Sequence, residues 1–289
     1  VASLQGIRRR INSVKSTQKV TKAMKMVSAS KLRRAQEAAE AARPYAAKMH
    51  ELFAGLSIDP DQASHPLLVA RPPKRVAVVA VTPDRGLCGA LNTNLCRTAL
   101  TRVRALEGEG LAVSVVAVGR KARDFFTRRA VDVERAWTGL LAAPDYPSAR
   151  EVGAWLVEAF LDGRFDRVDL VSARFRSVIS QVPQCGQLLP VAVEPGTKEP
   201  GRTYLFEPSD EEVLGAVLPK FIEVQLYQAL LESAASEHGA RMTAMDSATR
   251  NAGEVIKKLT LVYNRTRQEA VTKELLDIIG GVEALKTAG

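Results

Sequence analysis

The chain has 289 residues, 46% hydrophobic and 25% charged, a globular composition that excludes disorder as the default and fits one large domain or two ordinary ones. Cys88, Cys96 and Cys185 lack CxxC spacing, His50, His65 and His238 lie in separate segments, and no run reaches the ~18–20 apolar residues needed to cross a bilayer. Metal binding is therefore not expected and any membrane association would be through a partner, and with no signal-like segment a reduced intracellular protein is the expectation. The net charge of +9 is unevenly placed, because residues 1–50 hold twelve Lys and Arg against two Glu.

In chain order, Leu4 to about Leu56 predicts a long helix. Leu4, Ile7, Ile11 and Val14 keep alternating three and four spacing, and Thr21, Lys25, Ser28 and Leu32 continue it, with Val20, Met24 and Val27 as an apolar row beside them. Pro44 predicts a kink or break near Ala42 or Arg43. Arg8, Arg9, Arg10, Lys15, Lys19, Lys22, Lys25 and Lys31 occupy several helix faces. That pattern alone is equally compatible with a solvated surface, a helix in a DNA groove, or an acidic protein passing over it.

His65, Pro66, Pro72 and Pro73 mark a linker, after which the periodicity changes. Arg75–Val81 (RVAVVAV) is a continuous apolar run of the kind found in buried parallel strands. The turn TPDRGLCGALN and a helix from Ala90 to about Leu106 follow, then a strand at Ala112–Val118 and a basic helix through Phe125 and Phe126. Beyond Pro144 and Pro147 come a helix from about Ser148 to Leu161, a strand at Arg167–Phe175, and Ser177–Leu189 returning beside it. Strands alternating with helices predict a small, Rossmann-like α/β domain with a largely parallel sheet. Pro195, Gly196, Pro200, Gly201 and Pro208 mark the linker out of it.

Residues 220–279 contain no proline and carry a second seam: Leu231, Ala235, His238, Met242, Met245, Thr249, Ala252, Ile256, Leu259, Tyr263, Thr266 and Ala270. A helix of that length reaches roughly 90 Å and must lie on another element. The two long patterns at the chain ends therefore predict an antiparallel coiled coil, neither helix being stable alone with so few large seam residues. The fold class is α/β, a long antiparallel coiled coil of N- and C-terminal helices plus the Rossmann-like domain. Its parts are residues 1–60, 61–208 and 209–289.

Chemistry is sparse. The turn Thr82–Asn92 stands where a phosphate site would lie, yet Gly86 and Gly89 make neither a GxGxxG fingerprint nor a Walker A motif. A tight turn braced by Asp84 and Arg85 is favoured, and Cys88 has no nearby histidine to activate it. No catalytic constellation, cofactor site or metal site is expected.

The opening SLQGIRRRINSVKSTQKVTKAMKMVSASKLRRAQ resembles the N-terminal helix of the gamma subunits of F-type ATP synthases. TPDRGLCGALN, SQVPQCGQLLP and the ending SEHGARMTAMDSATRNAGEVIKKLTLVYNRTRQEAVTKELLDIIGG resemble the same family in the same order. The resemblance implies a non-catalytic rotor shaft that couples proton flow to ATP synthesis and hydrolysis on beta subunits. Partners would be alpha, beta and epsilon subunits and the c-ring, with membrane association only through the complex and no nucleic acid. The implied bearing contacts are Met24, Lys25, Arg241, Gln268, Thr272 and Glu274, with Met24 near Arg241 and Gln268. Arg8, Arg9, Lys31, Arg33 and Arg34 would face an acidic beta surface, and Asp84, Arg85, Gly86 and Gly89 would form the turn of the foot domain. Some relatives carry an acidic residue in place of Lys25. Residues 186–210 lack the cysteine pair of chloroplast relatives, so thiol control is not expected. The implied location is the cytoplasmic face of a bacterial plasma membrane, with the matrix side of a mitochondrial inner membrane as the alternative. The competing possibility is a nucleotide-sensing α/β domain with a basic coiled-coil arm that binds DNA or a protein partner.

Overall fold

The computed structural model describes residues 3–55, 65–192 and 210–287. The linker around Pro195–Pro208 and the boundaries drawn at 60/61 and 208/209 lie outside the described residues. The chain forms two compact units, one of residues 28–243 and one of residues 1–27 with 244–289. Helices α1 (Leu4–Gly55) and α5 (Asp210–Thr287) contribute to both.

Residues 28–243 are built on a five-stranded sheet. In chain order come β1 (Arg75–Val81), α2 (Leu91–Gly108), β2 (Ala112–Val118), α3 (Arg120–Thr127), β3 (Val133–Trp137), α4 (Tyr146–Leu161), β4 (Arg167–Ser177) and β5 (Ser180–Leu189). The strand order is β3-β2-β1-β4-β5, with β5 antiparallel to β4 and the other pairs parallel. β1 is central and covered on both faces, which is why it reads as an unbroken apolar run. Val76, Val78 and Ala80 pack with Ala99, Val103 and Leu106 of α2 and Phe126 of α3. Ala77, Val79 and Val81 pack on the other face with Leu156 and Phe160 of α4 and Leu218, Ile222 and Leu226 of α5. The result is a three-layer α/β/α domain.

β3 has no counterpart among the strands read from sequence. It is an edge strand whose residues before Trp137 are exposed or half-buried, so no apolar run marks it. α1 also continues through Pro44 with no break at Ala42 or Arg43. Proline removes one backbone donor, and the buried Ala46 and Met49 beyond it give the next turns a packed face. α5 begins ten residues before the proline-free stretch and contains Pro219.

The other unit is an antiparallel helix pair. Lys25 meets Asp246 at 2.5 Å, the Thr21 and Thr249 hydroxyls lie 2.8 Å apart, and Gln18 donates to the Thr249 carbonyl, so the register falls along α5 as it rises along α1. Ile7, Ile11, Thr21, Met245 and Ala252 are buried in its seam. Between 254 and 270 only Ile256, Leu259, Tyr263, Thr266 and Ala270 are half-buried rather than exposed, and all five are seam positions. Residues 271–280 are exposed all round, and in this register they extend past the described part of α1.

Candidate functional site

In a sheet of this order, ligands enter the crevice outside the C-terminal ends of the strands where the order reverses, here between β1 and β4. α5 occupies that place. Ala240 packs with Cys88, Leu91, Leu95 and Ala173, and the Ser233 hydroxyl accepts the Ala173 amide at 3.3 Å. The Thr243 hydroxyl donates to the Val178 carbonyl at 3.0 Å. Gly239 lies so close to the β4–β5 hairpin that a Cβ would meet the Phe175 ring at 3.0 Å. Small residues at 233–240 are what let the helix sink this far.

Arg241 closes the socket. Its guanidinium donates to the Gly86 carbonyl from Nε at 3.3 Å and Nη2 at 3.1 Å, and Nη2 also lies 2.7 Å from Glu237 Oε1, one turn earlier. Both side chains are about nine-tenths buried. Burial pushes the Glu237 carboxyl up, with Arg241 opposing. Burial, reinforced by the Arg241 and Lys31 charges, pushes His238 down to about 4, so it is neutral at physiological pH. Burial also raises the Cys88 thiol, which disfavours the thiolate a nucleophile requires.

On its other side the turn is held by its own acid. Asp84 accepts the Arg120 amide at 2.7 Å, at the start of α3, and the Gly139 amide at 2.8 Å. A carboxylate thus takes the helix N-terminus that would otherwise suit an external anion. Thr82 Oγ1 accepts the Ala122 amide, and Gly119, at φ 111°, crosses so close that a Cβ would lie 1.8 Å from the Thr82 carbonyl. Arg85 and Gly89 are exposed on the turn. Among the described residues, no cluster of His, Cys, Asp and Glu could hold a metal ion.

The remaining residues implied by the resemblance are dispersed. In the helix-pair unit, Met24 is half-buried, Lys25 is engaged with Asp246, and Gln268, Thr272 and Glu274 are exposed. Gln268 and Thr272, one turn apart, share a shallow depression with Arg265 and Leu276. Arg8 and Arg9 are exposed there, while Lys31, Arg33 and Arg34 are exposed on the part of α1 in the sheet unit, Arg33 pairing with Glu37. Thus Arg241 and Gly86, drawn from two different predicted groups, come together.

Three buried polar groups are not apparent from the sequence. Glu237 with Arg241 had an i,i+4 spacing as its signal. Asp169, 1% exposed, is clasped by Arg102 at 2.6 Å and Arg167 at 2.7 Å, and its only signal was an acid inside a strand run. Glu223 accepts the Tyr146 hydroxyl at 2.6 Å, and burial together with that carboxylate pushes the phenol up to about 12.

The profile of the ATP synthase family matches residues 3–285. The chain is 48% identical over 286 residues to the ATP synthase gamma chain of Moorella thermoacetica, covering 99% of this chain and all of that one. It is 48% identical over 287 residues to the one of Geotalea daltonii, with the same coverage. Among solved structures it resembles a chain of the Euglena gracilis mitochondrial ATP synthase in rotational state 3, with TM-score 0.69, 22% identity, and coverage of 98% of this chain and 94% of that one. It also resembles a chain of the Tetrahymena thermophila mitochondrial ATP synthase central stalk and c-ring, with TM-score 0.61, 26% identity, and coverage of 79% and 99%.

Proposed function

The chain belongs to the ATP synthase gamma-chain family, and from that premise we propose that it is the central rotor of an F-type ATP synthase. The observation that carries this is end-to-end identity of about half with bacterial ATP synthase gamma chains. The geometry agrees in kind: the crevice where a nucleotide would sit holds the chain's own helix, which suits a domain that serves as a mount for α5 in a complex whose catalysis lies on the beta subunits. The bacterial relatives favour a peripheral position on the cytoplasmic face of the plasma membrane, joined through the complex to epsilon and the c-ring.

Within this function, residues 1–60 and 209–289 serve as the shaft and 61–208 as the foot. In this reading Met24, Gln268, Thr272 and Glu274 meet alpha and beta subunits, and the exposed Arg8, Arg9, Lys31, Arg33 and Arg34 suit an acidic lever on beta. Exposed charge pairs are worth roughly 0–1 kcal/mol, so such contacts form and release within a turn. The exposed apolar residues Val271, Leu275, Leu276, Ile278 and Ile279 suit a dry sleeve around the end of the shaft.

Reconstitution tests this. The full chain should coelute with alpha and beta subunits and support coupled ATP hydrolysis, whereas a chain ending at Gly253 should lose torque. Calorimetry should give no ATP binding to the chain alone; micromolar affinity would favour the nucleotide-sensing alternative and sink the rotor assignment.

A further inference from the structure

Leu218, Ile222 and Leu226 seat the earlier turns of α5 in the core, whereas over residues 233–240 the helix meets the crevice mostly through small side chains. From 233 to 240 every position is buried, and six of the eight, Ser233, Ala234, Ala235, Ser236, Gly239 and Ala240, are small and interdigitate only shallowly, beside the larger Glu237 and His238. Along this stretch the directional restraint comes from polar contacts, added to that of the apolar turns before it. Ser233 holds Ala173 of β4, Thr243 holds the Val178 carbonyl after β4, and Arg241 holds the Gly86 carbonyl of the β1–α2 turn. Arg241 is the one of the three that reaches across to β1's side of the crevice, and the one that is charged and forked. The carbonyl it grips belongs to the peptide leading into Leu87, whose φ of 63° is a left-handed conformation a leucine rarely adopts. Leu87 itself is 62% exposed, so its own packing does not hold it there. Glu237 completes the arrangement by fixing the guanidinium from the same helix.

We infer that Arg241 is a positioning residue that latches α5 to the β1–α2 turn, and that the load transmitted by this chain passes through the Arg241–Gly86 contact rather than through a contact of Arg241 with a surrounding subunit. A guanidinium suits this because its rigid fork puts two N–H groups on one oxygen and a third contact on the carboxylate. Lysine, a flexible point charge, cannot do so. The functional half of the inference rests on the rotor assignment; the structural half does not.

The test uses the full chain in its complex, comparing wild type with Arg241→Met, Arg241→Lys and Glu237→Gln. The first readout is hydrogen exchange at the Leu91 and Asn94 amides, whose bonds to the Cys88 and Ala90 carbonyls close the turn. The second is the ratio of proton-driven ATP synthesis to uncoupled ATP hydrolysis. Arg241→Met should speed exchange by roughly tenfold or more and lower the ratio while hydrolysis persists, because a slipping mount loses work under load before it stops turnover. Arg241→Lys, which keeps the charge beside Glu237 and so preserves folding if methionine does not, should be intermediate in both. Glu237→Gln should shift both in the same direction. Unchanged exchange with a lowered ratio would put Arg241 on a partner subunit and overturn the latch. Faster exchange with an unchanged ratio would overturn the load path, and no change in either would overturn both. If wild type itself fails to assemble with alpha and beta subunits, the rotor assignment fails, while the exchange data still decide the latch.

Discussion

Gly119 shows how narrowly single positions are specified. A methyl group there would stand 1.8 Å from a backbone oxygen at a φ of 111°, and neither obstacle is a flexible side-chain end. Gly119→Ala should therefore cost about 3 kcal/mol or prevent folding, read by urea denaturation. His238 gives a pH dependence of definite sign. Its folded pKa of about 4 lies below the ordinary value, so the unfolded chain takes up the proton first, and stability falls as pH drops from about 6.5 through 4. Between pH 7 and pH 5 the loss should be about 2 kcal/mol. Glu237, raised by burial, pulls in the opposite direction, so the comparison is wild type against His238→Gln. Equal pH slopes in the two proteins would refute the assignment. His238 stood in the sequence as a seam position; the depression of its pKa comes first from burial, then from Arg241 one turn along the same helix and from Lys31 brought near it by the fold.

At the scale of elements, two glycines in α5 should behave oppositely. A Cβ on Gly253 would meet only the amide end of Gln18 at 3.1 Å, a flexible group that can swing aside. Gly253→Ala should raise stability by roughly 0.5–1 kcal/mol through helix propensity. Gly239 instead faces the Phe175 ring at 3.0 Å, with the Val178 backbone behind it, so Gly239→Ala should lose about 1 kcal/mol despite the same propensity gain. Thermal unfolding of both variants decides; a stabilised Gly239→Ala would mean that the helix seat is looser than the packing indicates. Helix pairing was legible because Ile256, Leu259 and Tyr263 keep their spacing whether or not they are large. β3 was not legible, because an edge strand with Glu134 and Arg135 turned to solvent follows no apolar pattern.

For the whole molecule, the decisive feature is what the described residues leave uncovered. Leu275, Ile278 and Ile279 are more than half exposed beyond the end of the paired seam. Changing all three to serine should leave the stability of the chain alone within about 0.5 kcal/mol, since exposed positions contribute little to it. Under the rotor assignment the same triple variant should weaken assembly with alpha and beta subunits, seen as reduced coelution. A loss of stability in the isolated chain would mean that these residues pack within it.

Apart from the edge strand β3, the order of strands and helices, the long helical seams and the basic first helix follow from local spacing and composition, because hydrophobic periodicity records which faces are buried. Motif resemblance along the whole chain added the family. The sequence could not say that α5 would fill the switch-point crevice, that Asp84 would take amides 36 and 55 residues away, or that Arg241 would close on Gly86 across 155 residues. Those contacts join residues with no periodic relation, so only the packing of the sheet against its own helix decided them.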